Sequence, residues 1–144
     1  KKGRDICIVS TGNMVHEALA CSEELESEGI NVGVVDVYRL KPVDSNSLAK
    51  LINKYSSVVS LEEHLLNGGL GSIISELITE LDLPLQLRRI GIDDQFIYFY
   101  KRQNIHRELA IDRERVKETI RSTVNISRSP LSQSKAEVLE STFD

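Results

Sequence analysis

The chain lacks the features of secreted and membrane-bound proteins. Its 144 residues include no tryptophan, one methionine and two cysteines, and two cysteines are too few for a disulfide framework. No apolar run approaches the roughly 18 residues that a membrane span needs, and the basic start lacks the apolar stretch of a signal peptide. These absences predict a protein of a reducing, cytoplasmic setting with no membrane partner.

An excess of positive charge is missing as well. Lysine and arginine contribute 18 residues, and aspartate and glutamate contribute 22, which gives a formal net charge of −4. Proteins that bind nucleic acid neutralise its phosphates with basic groups, so this balance argues against a nucleic-acid partner. With 40% hydrophobic and 28% charged residues, the composition is that of one folded globular domain.

The chain also lacks an initiator methionine and an apolar C-terminal segment. Its only methionine is Met14, and position 1 is Lys1, so we expect it to be part of a longer protein. From Asn125 onward serines recur and apolar residues become few. We therefore predict a folded domain over residues 1–124 and a Ser-rich tail over residues 125–144 that is disordered or partly vector-derived.

What is present is an alternation of buried strands and amphipathic helices. Continuous apolar runs of strand length lie at residues 5–11, 31–37, 57–61 and 85–90. Apolar residues at helical spacing, with helix caps, lie at residues 13–28, 44–54, 70–81 and 113–124. This order predicts an α/β fold with three α/β/α layers and a mostly parallel sheet of about four or five strands.

The candidate site lies where the third strand ends. That strand ends in Glu62, Glu63 and His64, and the following helix opens with Gly68, Gly69 and Gly71. Adjacent carboxylates beside an imidazole could transfer protons, and a glycine-rich helix start could hold an anion on its backbone N–H groups. The alternative is that the glutamates are solvated or paired with a neighbouring basic group.

Other chemical sites find less support. His64 lacks further ligands at metal spacing because His16 and His106 stand in other segments, so no metal site is predicted. The glycines match neither the phosphate-loop pattern nor the dinucleotide fingerprint. Cys7 and Cys21 lie on apolar faces, which predicts buried packing groups rather than nucleophiles.

An aromatic segment follows the fourth strand. Residues 95–100 read Gln-Phe-Ile-Tyr-Phe-Tyr and hold more than half of the chain's aromatic side chains, and several basic residues follow. Tyrosine, phenylalanine and arginine are enriched in the cores of protein interfaces. We therefore predict a protein–protein contact made by Phe96, Tyr98, Phe99 and Tyr100, with base stacking and ordinary core packing as the alternatives.

These motifs stand in an order that resembles a known family. Residues 3–15 begin with Gly-Arg-Asp-Ile and end with Thr-Gly-Asn-Met-Val, and residues 40–44 read Leu-Lys-Pro-Val-Asp. Residues 62–64 read Glu-Glu-His, residues 67–72 read Asn-Gly-Gly-Leu-Gly-Ser, and residues 89–96 contain Arg-Ile-Gly and Asp-Gln-Phe. From residue 3 to residue 124 the chain resembles the C-terminal domain of transketolase-like, thiamine-diphosphate-dependent enzymes.

The resemblance implies a role in assembly. The family includes transketolases, 1-deoxyxylulose-5-phosphate synthases and the beta subunits of 2-oxo acid dehydrogenases, and the Glu-Glu-His motif favours transketolase split into separate subunits. In such enzymes other domains hold the thiamine diphosphate and its divalent metal, and this domain serves dimerisation. The resemblance thus implies a homodimer with upstream or separate cofactor-binding domains, no catalytic or cofactor-binding residue here, and a parent transferase without which the chain is inactive.

Two departures from the family pattern concern the segment before the last helix. Tyr98, Phe99 and Tyr100 stand where relatives usually have a glycine, and Ala110 replaces the glycine expected before that helix. Because fold alone does not fix function, a free-standing interaction or regulatory module that reuses the fold is the alternative hypothesis.

Overall fold

Four strands alternate with helices along the part of the chain that the structure describes. A computed structural model describes residues 1–97 and 102–127. The strands are β1 (Ile6–Ser10), β2 (Val32–Asp36), β3 (Ser57–Leu65) and β4 (Gln86–Ile92). The helices are α1 (Met14–Ser27), α2 (Ser45–Ile52), α3 (Leu70–Glu80), α4 (Arg102–Glu108) and α5 (Arg113–Ser127).

The strands form one parallel sheet in the order β2-β1-β3-β4. All five residues of the central strand β1 are buried, because neighbouring strands flank it and helices cover both of its faces. The predicted α/β fold with a parallel sheet is therefore confirmed. The four strands of the described residues agree with the four or five that the sequence predicts.

Two apolar clusters lie on opposite faces of the sheet. Ile6 and Ile8 of β1 join the cluster that α1 and α5 cover. Cys7 and Val9, which point to the other face, join the cluster under α2 and α3. The alternating side chains of one strand thus supply both cores, and the three-layer prediction is confirmed.

Ion pairs join α5 to the outer face of α1. Arg113 contacts the carboxylates of Glu17 and Glu24 at 2.9 Å each, and Lys117 contacts Glu24 at 2.5 Å. Hydrogen bonds from Lys117 and then Arg113 lower the pKa of the Glu24 carboxyl from its ordinary value. The glutamates that make α1 amphipathic therefore also position the last helix.

The cysteines are packing groups, as predicted. Cys7 and Cys21 are both fully buried and free of disulfides. Burial raises the pKa of each thiol to about 12, far above the range in which a thiolate forms at neutral pH. Both side chains therefore pack in the core as protonated thiols.

Several boundaries differ from those expected. β3 continues to Leu65, and α5 continues to Ser127, beyond the expected domain end at residue 124. The helix α4 was not predicted, because residues 102–108 show no apolar face. Tyr98, Phe99 and Tyr100 and the tail from residue 128 lie outside the described residues.

Candidate functional site

Glu62 is the first residue of the Glu-Glu-His motif and is completely buried. Its side chain points from β3 to the start of α3. The backbone N–H of Leu70 donates to Oε2 at 2.6 Å, and that of Gly71 donates to Oε1 at 2.8 Å. Each carboxylate oxygen therefore accepts one amide from the first turn of the helix.

The start of α3 explains why a carboxylate is buried there. The first N–H groups of a helix lack acceptors within the helix and carry partial positive charge, which favours an anion. Gly69, the N-cap residue, has no side chain that could accept from them. Glu62 supplies the missing acceptor, so the anion expected at the glycine-rich helix start belongs to the chain itself.

The glycines of the motif make room for this carboxylate. A Cβ on Gly69 would lie 2.0 Å from Oε2 of Glu62, and a Cβ on Gly91 of β4 would lie 3.0 Å from its Cγ. Gly68 has a φ of +79°, a conformation that favours glycine. Gly91 is the member of this set that sequence reasoning did not assign to the site.

Gly71 has a different neighbourhood from the other glycines. A Cβ there would lie 2.7 Å from Cδ of Arg89 and 2.8 Å from Oγ of Ser60. The Ser60 hydroxyl is completely buried and has no hydrogen-bond partner within the described part of the chain. An unused polar atom therefore lies against the same helical turn that binds Glu62.

Glu63 pairs with a basic group from a distant segment. Its Oε1 lies 2.5 Å from Nε2 of His106 in α4, and both side chains are partly exposed. The alternative interpretation, in which a glutamate of the motif is paired with a basic neighbour, is thus confirmed for Glu63. It is wrong for Glu62, which binds backbone amides instead.

His64 and the other histidines form no metal centre in the structure as described. His64 is exposed, while His106 is engaged with Glu63. Within residues 1–97 and 102–127, no group of three or more His, Cys, Asp or Glu side chains could hold a metal ion. The amides of Leu70 and Gly71 at the start of α3 already have Glu62 as acceptor, so this helix start does not fit the diphosphate of thiamine diphosphate.

Large apolar side chains are exposed at the carboxyl edge of the sheet, where the parallel strands end. We call four of them the carboxyl-edge residues: Tyr38 beyond β2, Leu65 at the end of β3, and Phe96 and Ile97 beyond β4. Their exposed fractions are 83%, 43%, 94% and 47%, respectively. Contiguous apolar patches on a protein surface often mark contacts with a partner. Phe96 is exposed, and the interface expected there stays a prediction.

A groove of about 210 Å³ lies beside Tyr38. Its lining includes Val43, Leu48 and Leu51, together with the start of α2. Asp44 caps that helix by accepting from the N–H of Ser47 at 3.0 Å, and this hydrogen bond lowers the pKa of its carboxyl. The last two residues of the Leu-Lys-Pro-Val-Asp turn, Val43 and Asp44, thus line the groove.

No helix among the described residues combines the length and the apolar character that crossing a bilayer requires.

Comparison with known proteins gives relatives of greater length. A synthase named 1-deoxy-D-xylulose-5-phosphate synthase, from Syntrophus aciditrophicus, is 33% identical over 129 residues, which cover 89% of this chain and 20% of that protein. One subunit of an apulose-4-phosphate transketolase, from Actinobacillus succinogenes, is 39% identical over 94 residues, which cover 65% of this chain and 30% of that protein. The chain therefore spans a third or less of these relatives.

A solved structure and a family profile agree with these relatives. The structure described as "Split gene transketolase, inactive beta4 tetramer" superposes with a TM-score of 0.80 at 32% identity, covering 89% of this chain and 42% of that one. The profile described as "Transketolase, C-terminal domain" matches residues 1–116. The chain belongs to the family of the transketolase C-terminal domain.

Proposed function

We propose that the chain is the C-terminal domain, or a split C-terminal subunit, of a thiamine-diphosphate-dependent transketolase-like enzyme, and that it serves assembly rather than catalysis. The observation that carries the proposal is the family match over residues 1–116 in a chain that spans only 20% to 42% of the three relatives described above. A domain that forms so small a part of an enzyme needs the remainder for its reaction.

The geometry of the Glu-Glu-His motif supports a structural role. Glu62 is buried and accepts a hydrogen bond from a backbone amide on each of its two oxygens, and Glu63 is engaged with His106. A general acid or base must reach the proton that it transfers. The Glu62 carboxylate has no such access, so in this proposal the two glutamates of the motif build the carboxyl edge of the sheet and do not act on a substrate.

The cofactor belongs, in this proposal, to upstream or separate domains. Thiamine diphosphate supplies the carbanion chemistry by which such enzymes transfer a two-carbon or acyl unit. The residues of this chain contribute a rigid sheet edge with exposed apolar side chains. We place the assembled enzyme in the cytoplasm, in keeping with the two reduced cysteines.

Self-association is part of the proposal. The related split-gene transketolase chain is described as an inactive tetramer. By analogy, we propose that this chain alone is inactive and associates with further copies, at least as a dimer. The carboxyl-edge residues Phe96 and Ile97 would lie in that contact, because exposed apolar side chains are stabilised when a partner covers them.

Calorimetry and activity measurements test the catalytic part of the proposal. We expect the purified chain to bind no thiamine diphosphate, with or without Mg²⁺, and to transfer no ketol group between sugar phosphates. A matched titration of a complete transketolase is the positive control. Cofactor binding or ketol transfer by the chain alone would contradict the proposal.

Light scattering after gel filtration tests the assembly part. The double variant Phe96→Ser/Ile97→Ser should dissociate the oligomer. Leu81→Ser is the matched control, because Leu81 is 45% exposed but follows α3 at the opposite edge of the sheet. If both variants keep the mass of the wild type, the carboxyl edge is not the self-association surface.

A further inference from the structure

The first turn of α3 binds the carboxylate of Glu62. Its amides at Leu70 and Gly71 hold the two oxygens of one carboxylate, at 2.6 Å and 2.8 Å. Two N–H groups that each bind a different oxygen fit an anion that offers two acceptor oxygens, as a carboxylate does. The walls are also fitted to that group, because a Cβ on Gly69 or Gly91 would collide with Glu62 or press against it.

A second observation shows unused capacity at the same turn. Ser60 Oγ is completely buried, has no partner among residues 1–97 and 102–127, and lies beside Gly71. A buried hydroxyl without a partner is rare, because desolvating it costs free energy that a hydrogen bond would recover. The Ser60 hydroxyl of β3 is therefore a further potential donor beside the amides that bind the carboxylate.

We propose that this turn is a carboxylate-binding site that the chain closes with its own Glu62, and that it accepts a free small carboxylate when Glu62 is removed. The heavy atoms that Glu62→Ala deletes, namely Cγ, Cδ, Oε1 and Oε2, correspond one for one to those of acetate. In the wild-type chain the same site is closed to external anions. Parallel sheets commonly bind ligands at this edge, and here an internal group replaces the ligand.

Thermal unfolding of Glu62→Ala tests whether the vacated site binds acetate. We expect a melting temperature well below that of the wild type, which then rises by about 5 °C in roughly 100 mM sodium acetate. Sodium chloride of equal ionic strength should give no such rise. Glu62→Gln, whose side chain still fills the space, should not respond to acetate, and neither should the wild type or Glu63→Ala.

Amide chemical shifts locate the effect. In Glu62→Ala, the N–H signals of Leu70 and Gly71 should move with acetate, whereas in the wild type they should stay unmoved in acetate and in phosphate. The proposal is overturned if acetate raises the melting temperature of Glu62→Ala no more than chloride does. It is also overturned if Glu62→Ala is unfolded and acetate restores no more folded protein than chloride does. The same spectra of the wild type need no variant. If acetate or phosphate moves the Leu70 or Gly71 signal of the wild-type chain, the proposal is overturned as well.

Discussion

Replacing Glu62 by glutamine tests how much the buried carboxylate stabilises the fold. Glutamine has nearly the same shape but carries one oxygen and one NH2 group. Its oxygen can accept from only one of the amides of Leu70 and Gly71, and its NH2 group then faces the other N–H, so a buried donor loses its acceptor. The helix start also loses the negative charge that favours it.

The size of the effect follows from these contacts. An unsatisfied buried donor costs about 1–3 kcal/mol, and losing charge assistance on the remaining hydrogen bond costs about 1 kcal/mol more. We therefore expect Glu62→Gln to lower the free energy of unfolding by about 2–4 kcal/mol, a large fraction of the stability of a typical domain. Urea unfolding followed by circular dichroism measures this value.

Two control variants separate this effect from generic damage to β3. Glu63→Gln affects a partly exposed pair and should cost less than about 1 kcal/mol. Ser60→Ala removes a hydroxyl that has no partner in the described structure, so it should be neutral or slightly stabilising. If the free energy of unfolding of Glu62→Gln is within about 0.5 kcal/mol of the wild-type value, the amide contacts do not stabilise the chain as argued.

Three further predictions concern other parts of the structure. Gly69→Ala should destabilise the chain by about 1–3 kcal/mol in urea, because its Cβ would lie 2.0 Å from the Glu62 carboxylate; unchanged stability would contradict the fit around that group. Because burial raises the pKa of Cys7 and Cys21 to about 12, a thiol reagent at neutral pH should label them only after unfolding, and rapid labelling of the native chain would refute this. The pKa of Glu24 is lowered, chiefly by its hydrogen bond from Lys117, so its contribution to stability is present above the ordinary pKa of 4.5 and disappears as pH falls through the lower folded value. Glu24→Gln should therefore narrow the difference between the urea midpoints at about pH 7 and about pH 3. An equal difference in the variant and the wild type would contradict this coupling between the protonation of Glu24 and stability.

The parts of the fold that the sequence predicts are those with a strong hydrophobic period. β1 is one continuous apolar run, and α1 repeats its apolar residues at helical spacing, so both can be recognised from neighbouring residues alone. α4 has no such period: its sequence, Arg-Gln-Asn-Ile-His-Arg-Glu, contains a single aliphatic residue. Its position becomes clear only from His106, which contacts Glu63 from 43 residues away.

The environment of Glu62 could not be read from the sequence for a different reason. Glutamate is rarely buried, so the residues at the end of β3 suggest an exposed strand end. Its partners are backbone amides, which exist at every position and leave no mark in the sequence. The available signal is the glycine at the N-cap of α3, since a helix start without a capping side chain needs an acceptor from elsewhere.

The buried carboxylate also determines what the carboxyl edge can offer to a partner. Burying a charged group is costly unless hydrogen bonds compensate it, and here the amides of Leu70 and Gly71 provide both the hydrogen bonds and the favourable dipole. Once Glu62 is bound internally and Glu63 is held by His106, the motif presents little free carboxylate to the surroundings. The exposed groups that remain at this edge include Phe96 and Ile97, whose burial against another chain is favourable. In the assembly role that we propose, these contacts remove the two glutamates from proton transfer, and the exposed Phe96 and Ile97 are the groups left to contact another chain.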